Sequence, residues 1–143
     1  MSEVHVQVRV GAEAYALPAR DVLEVAPLES PTPVPGAGPF VLGVRNVRGR
    51  VVPVFALGAL TGARGAGRRP AAASGHGRLC VAAHGDRVAG LAVDEVTDVG
   101  ELPDGGDVTE GGVVARSLLV GGRLVGVVDV ARLFAELERR GGT

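Results

Sequence analysis

The residue types that do chemistry are few in this chain and poorly placed for it. Its three histidines, His5, His76 and His84, show no metal-ligand spacing. The single cysteine has no second thiol for an internal disulfide, and it lies in Leu79-Cys80-Val81-Ala82-Ala83, a run that reads as a buried strand. Ser30 and Ser117 lack the setting of a nucleophile elbow. Gly62-Ala63-Arg64-Gly65-Ala66-Gly67 does not match a dinucleotide fingerprint, and a chain without lysine has no P-loop. Acids are plentiful between Asp94 and Glu110, which raises the question of a carboxylate pair or a calcium loop. Asp94, Glu95 and Asp98 fall in a strand-like stretch whose adjacent residues point to opposite faces. Asp104-Gly105-Gly106-Asp107 is a turn by composition, without the ligand pattern of a calcium loop. A solvated acidic edge is therefore expected there. The residues point away from an enzyme and call for no cofactor and no metal.

The bulk properties narrow the remaining classes. At 143 residues the chain fits one compact unit, and 46% hydrophobic content supplies a core. Valine dominates that content and aromatics make up only 3%, which favours short strands over helices. The 23 glycines and 9 prolines fit many turns. A formal charge of −1 gives no field drawing the chain to nucleic acid or anionic lipid. A nucleic-acid-binding barrel would also need stacking aromatics beside basic residues, whereas Phe40, Phe55 and Phe134 all sit in apolar, core-like contexts. The start Met1-Ser2-Glu3-Val4-His5 lacks signal-peptide features, and no apolar run approaches the roughly 20 residues of a membrane span. A cytoplasmic protein without membrane insertion is expected.

The elements follow from periodicity. Val4-His5-Val6-Gln7-Val8-Arg9-Val10 alternates strictly, with valines on one face and polar residues on the other. Ala14-Tyr15-Ala16-Leu17 returns as a second strand, and Val22-Leu23-Glu24-Val25 is a third extended segment. The proline-rich stretch from Pro27 to Pro39 must run as an extended surface connection. Two β-rich runs around Arg48-Gly49-Arg50 form a hairpin, and Ala56 to Leu60 could add one helical turn. Residues 62–77, rich in Gly, Ala and Arg, read as a mobile loop, with Arg64, Arg68 and Arg69 solvated. At the C-terminus Val130, Leu133, Phe134 and Leu137 have helical spacing, with Asp129 as N-cap and Gly141-Gly142 as the stop.

The chain also repeats itself. Gly11 to Leu17 and Val22 to Val25 align with Gly85 to Leu91 and Val96 to Val99, and Arg50 to Leu57 aligns with Arg123 to Val130. Two matches in the same order define halves at about 4–60 and 78–140 within a single domain spanning 1–143. Each half offers about five short strands, enough for one small barrel, and closure is what hides their edges.

Gly43-Val44-Arg45-Asn46-Val47-Arg48-Gly49-Arg50-Val51-Val52-Pro53-Val54 resembles the signature hairpin of the CheW family, roughly Gly-Val-x-Asn-Leu-Arg-Gly-x-Val-Val-Pro-Val. The resemblance extends over nearly the whole chain. Tyr15-Ala16-Leu17-Pro18 and Val22-Leu23-Glu24-Val25 look like the family's first strands, and Val34-Pro35 with Pro39-Phe40 looks like its proline-rich lead-in. Gly90-Leu91-Ala92-Val93-Asp94-Glu95-Val96-Thr97-Asp98-Val99 and Val125-Gly126-Val127-Val128-Asp129-Val130 resemble its later strands. One departure stands out: Ala56 occupies the place of a family Asp that the second copy keeps as Asp129, removing an N-cap that is worth about 1 kcal/mol.

The resemblance implies an all-β fold of two five-stranded SH3-like barrels, packed through a shared hydrophobic interface, with a short C-terminal helix. It implies a non-catalytic adaptor between chemoreceptor tips and the regulatory domain of the histidine kinase CheA, recruited to membrane-associated receptor arrays. An adaptor of a pilus-motility or developmental pathway is the near alternative; a small barrel hydrolase, deaminase or nucleic-acid binder is the distant one. Carried over, the receptor-facing groove lies between the barrels and involves Val22, Glu24, Gly43, Asn46, Arg48, Val93 and Val96. The valines would floor the groove for an amphipathic helix, or else are plain core. Arg48 would present its donor fork to a carboxylate or carbonyl. Asn46 would bond the turn backbone and Gly43 would admit a close approach, both roles within the fold. Glu24 is left open between contact and surface.

Overall fold

The computed structural model describes residues 2–37, 40–62 and 77–141. Most of them lie in strands, as valine-rich alternation requires. The order is β1 (Ser2–Val10), β2 (Glu13–Pro18), a 3-10 turn (Ala19–Asp21), β3 (Val22–Pro27), β4 (Val41–Val47), β5 (Arg50–Ala56) and α1 (Leu57–Thr61). The second half follows with β6 (Arg78–His84), β7 (Arg87–Val93), β8 (Glu95–Pro103), β9 (Asp107–Val108), β10 (Val114–Val120), β11 (Arg123–Val128) and α2 (Val130–Arg139). Apart from its end residues Gly62 and Gly77, the loop expected at 62–77 lies outside the described residues, with its three arginines and His76.

The two sheets run β8-β1-β2-β11-β10-β9 and β3-β6-β7-β5-β4. They are the two SH3-like barrels, but neither is built from one half of the sequence. The halves exchange their first hairpins. β1 pairs with β8 and β2 with β11, while β6 pairs with β3 and β7 with β5. Each exchange repeats the other at the repeat offset, so the molecule has a pseudo-two-fold. We call the sheet holding β1 barrel A and the sheet holding β3 barrel B.

This exchange places the core. The largest apolar cluster lies between the barrels: Val6, Val8, Tyr15 and Leu17 of barrel A meet Phe55, Cys80, Leu91 and Val93 of barrel B, capped by Leu133, Phe134 and Leu137 of α2. Smaller clusters fill each barrel, around Leu118 and Val125 in A and around Val54 and Leu79 in B. Cys80 is buried as expected, and burial pushes its thiol up to about 12, so it is inert at neutral pH.

Helix ends confirm the sequence reading of the caps. Asp129 accepts a 3.0 Å bond from Arg132 N at the start of α2, whereas Ala56 gives α1 no side-chain cap. The proline-rich connection is extended, but it is also tied down. Thr32 makes two backbone bonds of 2.9 Å with Val44, and Leu28 is buried in barrel B.

One strand departs from its pattern. The valine face of β1 meets the inter-barrel core through Val6, Val8 and Val10, but the opposite face is not all solvated: His5 there is only 1% exposed. Leu79 holds the equivalent place in barrel B. The His5 Nδ1–H donates to Glu3 O at 2.8 Å. Burial lowers the imidazole pKa below its usual value, Arg116 adds to this, and Asp104 opposes it. A lowered folded pKa means that the unfolded chain binds the proton more readily. Stability is then complete above about pH 6.5 and falls as pH drops below that value. Urea titrations from pH 8 to pH 5 should show this loss, and His5→Leu, which copies the other barrel, should flatten it.

Candidate functional site

The most distinctive surface feature is the β4–β5 hairpin. Val47 and Arg50 close a two-residue turn whose residues Arg48 and Gly49 both have positive φ, 53° and 82°. Such a turn matches the twist of the flanking strands, and it normally recruits Asn or Gly at its first position. An arginine there costs about 1 kcal/mol relative to glycine. The equivalent turn in barrel A uses Gly121 and Gly122, at φ 58° and 79°. The same backbone thus occurs twice, with the relaxed residue in one copy and a strained arginine in the other. Strain retained in one copy alone points to work done by the side chain.

That side chain is held in place. Arg48 Nε donates to Glu24 Oε1 at 2.8 Å, from the neighbouring edge strand β3. Arg48 is 82% exposed and Glu24 24%, so the pair adds under about 1 kcal/mol to stability. Its consequence is orientation: the pair biases the planar fork toward one direction while most of it faces solvent. Asn46 Oδ1 accepts from Gly49 N at 2.8 Å, bonding the turn as its local role anticipated. Arg48→Gly relieves strain and loses a weak ion pair. Its urea midpoint should therefore correspond to a stability within about 1 kcal/mol of wild type.

The seven residues marked by the sequence separate into three places. Glu24, Asn46 and Arg48 come together at the hairpin. Gly43 lies further along β4, buried against Thr32, where a Cβ would stand 2.4 Å from the Thr32 carbonyl oxygen. Val22, Val93 and Val96 belong to the inter-barrel core. Val22 and Val96, equivalent under the pseudo-two-fold, are half-buried against it, and Val93 is fully buried within it. Val93 is 0% exposed, as its plain-core alternative requires. The groove between barrels is filled at that point by the interface that joins them.

Sequence reasoning missed Leu23. It points outward in step with the alternation of β3, 62% exposed, and lines the same opening as Glu24 and Arg48. The available signal was the repeat itself, because the equivalent residue is Thr97. The acidic stretch proves to be partly structural: Asp94 Oδ2 accepts from Gly11 N at 2.6 Å, and Arg9 lies 3.4 Å from Glu95. Among the described residues no three His, Cys, Asp or Glu side chains converge as a metal site, and no helix is long and apolar enough to cross a membrane.

Two barrels thus share one core, and a charged hairpin stands at one end. Residues 5–138 match the CheW-like domain, and the chain belongs to the CheW family of chemotaxis scaffold and adaptor proteins. It is 30% identical to the chemotaxis protein CheW of Rhizobium meliloti over 139 residues, covering 92% of this chain and 86% of that one. It is 35% identical to protein PilI of Pseudomonas aeruginosa over 95 residues, 66% of this chain and about half (51%) of that relative's length. The crystal structure of the scaffolding protein TtCheW from Thermoanaerobacter tengcongensis superposes with a TM-score of 0.78 at 26% identity, covering 94% of this chain and 88% of that one.

Proposed function

We propose that this protein couples chemoreceptors to the histidine kinase CheA, acting in the cytoplasm at receptor arrays by binding alone. The observation that carries the reading is Arg48, kept at a left-handed turn position where the other copy has Gly121, and aimed by Glu24. A guanidinium so fixed suits a carboxylate or a helix-terminal carbonyl on a receptor tip. The kinase would engage a different face of the same rigid body, so that a receptor movement reaches the kinase without unfolding the adaptor. The test is binding to a receptor-tip fragment and, separately, to the CheA regulatory domain. Arg48→Gly, folded as stably as wild type, should weaken the receptor arm by about tenfold or more and leave the kinase arm unchanged. Wild-type levels of receptor binding by Arg48→Gly would remove the residue from the interface. The likeness to PilI favours a second reading, an adaptor serving pilus-linked receptors. Swapping the receptor fragment in the same assay separates the two.

A further inference from the structure

One place in barrel A is filled by a ring that barrel B lacks. Tyr15 of β2 is buried with its ring over Gly126 of β11, where an added Cβ would stand 3.2 Å from the ring carbon Cδ1. The Tyr15 hydroxyl bonds Thr61 at the end of α1. Under the pseudo-two-fold, Ala89 takes the place of Tyr15, Pro53 that of Gly126, and Phe134 of α2 that of Thr61. With the ring reduced to a methyl, an open cleft of about 170 Å³ remains between α2 and barrel B. Roughly 150 Å³ holds a benzene ring, so the cleft is about the size of the missing side chain. Arg87 also lines the cleft, in the place that Glu13 has in barrel A. Its guanidinium lies 5.1 Å from the centre of the Phe134 ring, and Nη1 donates to Glu138 Oε2 at 3.3 Å. Nη2 is the one buried side-chain nitrogen or oxygen among the described residues that has no hydrogen-bond partner. A buried donor left unpaired is costly, and a charged one more so.

We propose that this cleft is a binding site for a small aryl carboxylate, with its ring in the slot that Tyr15 fills in barrel A and its carboxylate on Arg87. The ring would meet Pro53, Phe55 and Phe134, and one charged contact would orient it, as in most small-molecule sites. The Arg87 side chain is 31% exposed, so its guanidinium turns toward a ligand without disturbing the core. Glu138 is 73% exposed and gives way as the ligand's carboxylate accepts from Nη2. A free small molecule fits better than a peptide: apart from Arg87 the lining side chains are apolar and offer no partner to a peptide's amides. The proposal is independent of the adaptor reading. Bound there, the ligand bridges α2 to β5 and β7 and stabilises the shared core by mass action.

The wild-type protein is titrated with phenylacetate, and binding is followed by amide chemical shifts and by thermal unfolding. A ligand this small binds in the micromolar-to-millimolar range, so millimolar concentrations are used. The proposal expects saturable shifts centred on Ala89 and Phe134, and a melting temperature that rises with phenylacetate. Phenylacetamide keeps the ring but loses the charge-assisted bond, and should bind about tenfold more weakly or worse. Acetate keeps the charge but loses the ring, and should leave both readouts unchanged. Arg87→Gln should weaken phenylacetate by about the same factor as the amide. Ala89→Tyr combined with Pro53→Gly copies the plug of barrel A and should remove binding altogether. Equal affinity for the amide overturns the carboxylate contact, and equal affinity for acetate overturns the ring slot. Undiminished binding by the plugged variant overturns the cleft as the site. Absence of saturable shifts in the wild-type protein overturns the proposal outright. Should the plugged variant not fold, Arg87→Gln and the amide decide the matter.

Discussion

Gly43→Ala should destabilise the protein by about 3 kcal/mol and detach the proline-rich connection from β4. The backbone at Gly43 has φ +146°, which L side chains rarely adopt, and the added Cβ would meet the Thr32 carbonyl oxygen at 2.4 Å and its carbon at 2.8 Å. Neither atom can swing aside, because both belong to the backbone that bonds Val44 twice. Strain of about 1–3 kcal/mol and the weakening of two backbone bonds, about 1 kcal/mol in all, make up the estimate. Barrel A meets the same crowding from the other strand: there Gly106 approaches the Ser117 carbonyl oxygen, at 2.3 Å from an added Cβ. Thermal unfolding and amide exchange at Thr32 and Val44 measure the effect. Near-wild-type stability, with both amides still protected, would show that the close approach is not required. Gly43 is buried, so any loss of receptor binding in the variant must be indirect, through the displaced connection or the hairpin.

The largest loss is expected from Phe134→Ala, at about 4 kcal/mol. Phe134 is buried in the inter-barrel core, faces His84 with ring centroids 6.1 Å apart, and lies beneath the Arg87 guanidinium at 5.1 Å. It also borders an open cleft of about 170 Å³ shared with Pro53, Phe55 and Leu137, and truncation leaves space that its neighbours fill only in part. The loss should be cooperative. Because the halves exchange their first hairpins, barrel A cannot lose β1 and β2 while the first half stays otherwise intact. Weakening α2 therefore lowers one shared transition rather than freeing one barrel. A single urea transition, shifted to lower denaturant with its slope retained, is the expected result. Two separated transitions would mean that the barrels unfold independently despite their common core.

The parts of this account that sequence made legible are those governed by local pattern. Alternating valines marked the strands, and Val130, Leu133, Phe134 and Leu137 marked a helix whose buried residues are those four. The Asp129 cap and the uncapped Ala56 followed from residue type and position. The repeat pointed to two barrels, since a duplicated strand pattern folds into duplicated sheets. The hairpin exchange was not legible. Pairing β1 within its own half or across to β8 leaves the same alternation along the chain, and only the three-dimensional register distinguishes them. His5 was misread for a related reason: period two assigns a residue to a face, but not that face to water or to a barrel interior. The candidate site was half legible. Asn46 and Arg48 were singled out through the hairpin motif and Glu24 through the third extended segment, and the structure adds the ion pair between Arg48 and Glu24. Val93 was drawn in from its motif position, although its burial depends on strands far away in sequence. Leu23 escaped notice because alternation along β3 separates two faces without saying which of them meets water.

The central claim is that one folded body binds two partners at once through separate surfaces. The most direct test is sedimentation velocity of the protein mixed with the CheA regulatory domain and a receptor-tip fragment, each alone and then together. The account predicts a ternary species heavier than either binary complex, reduced by Arg48→Gly to the kinase-bound binary one. Two partners that compete for the protein, or a well-folded protein that binds neither, would contradict it.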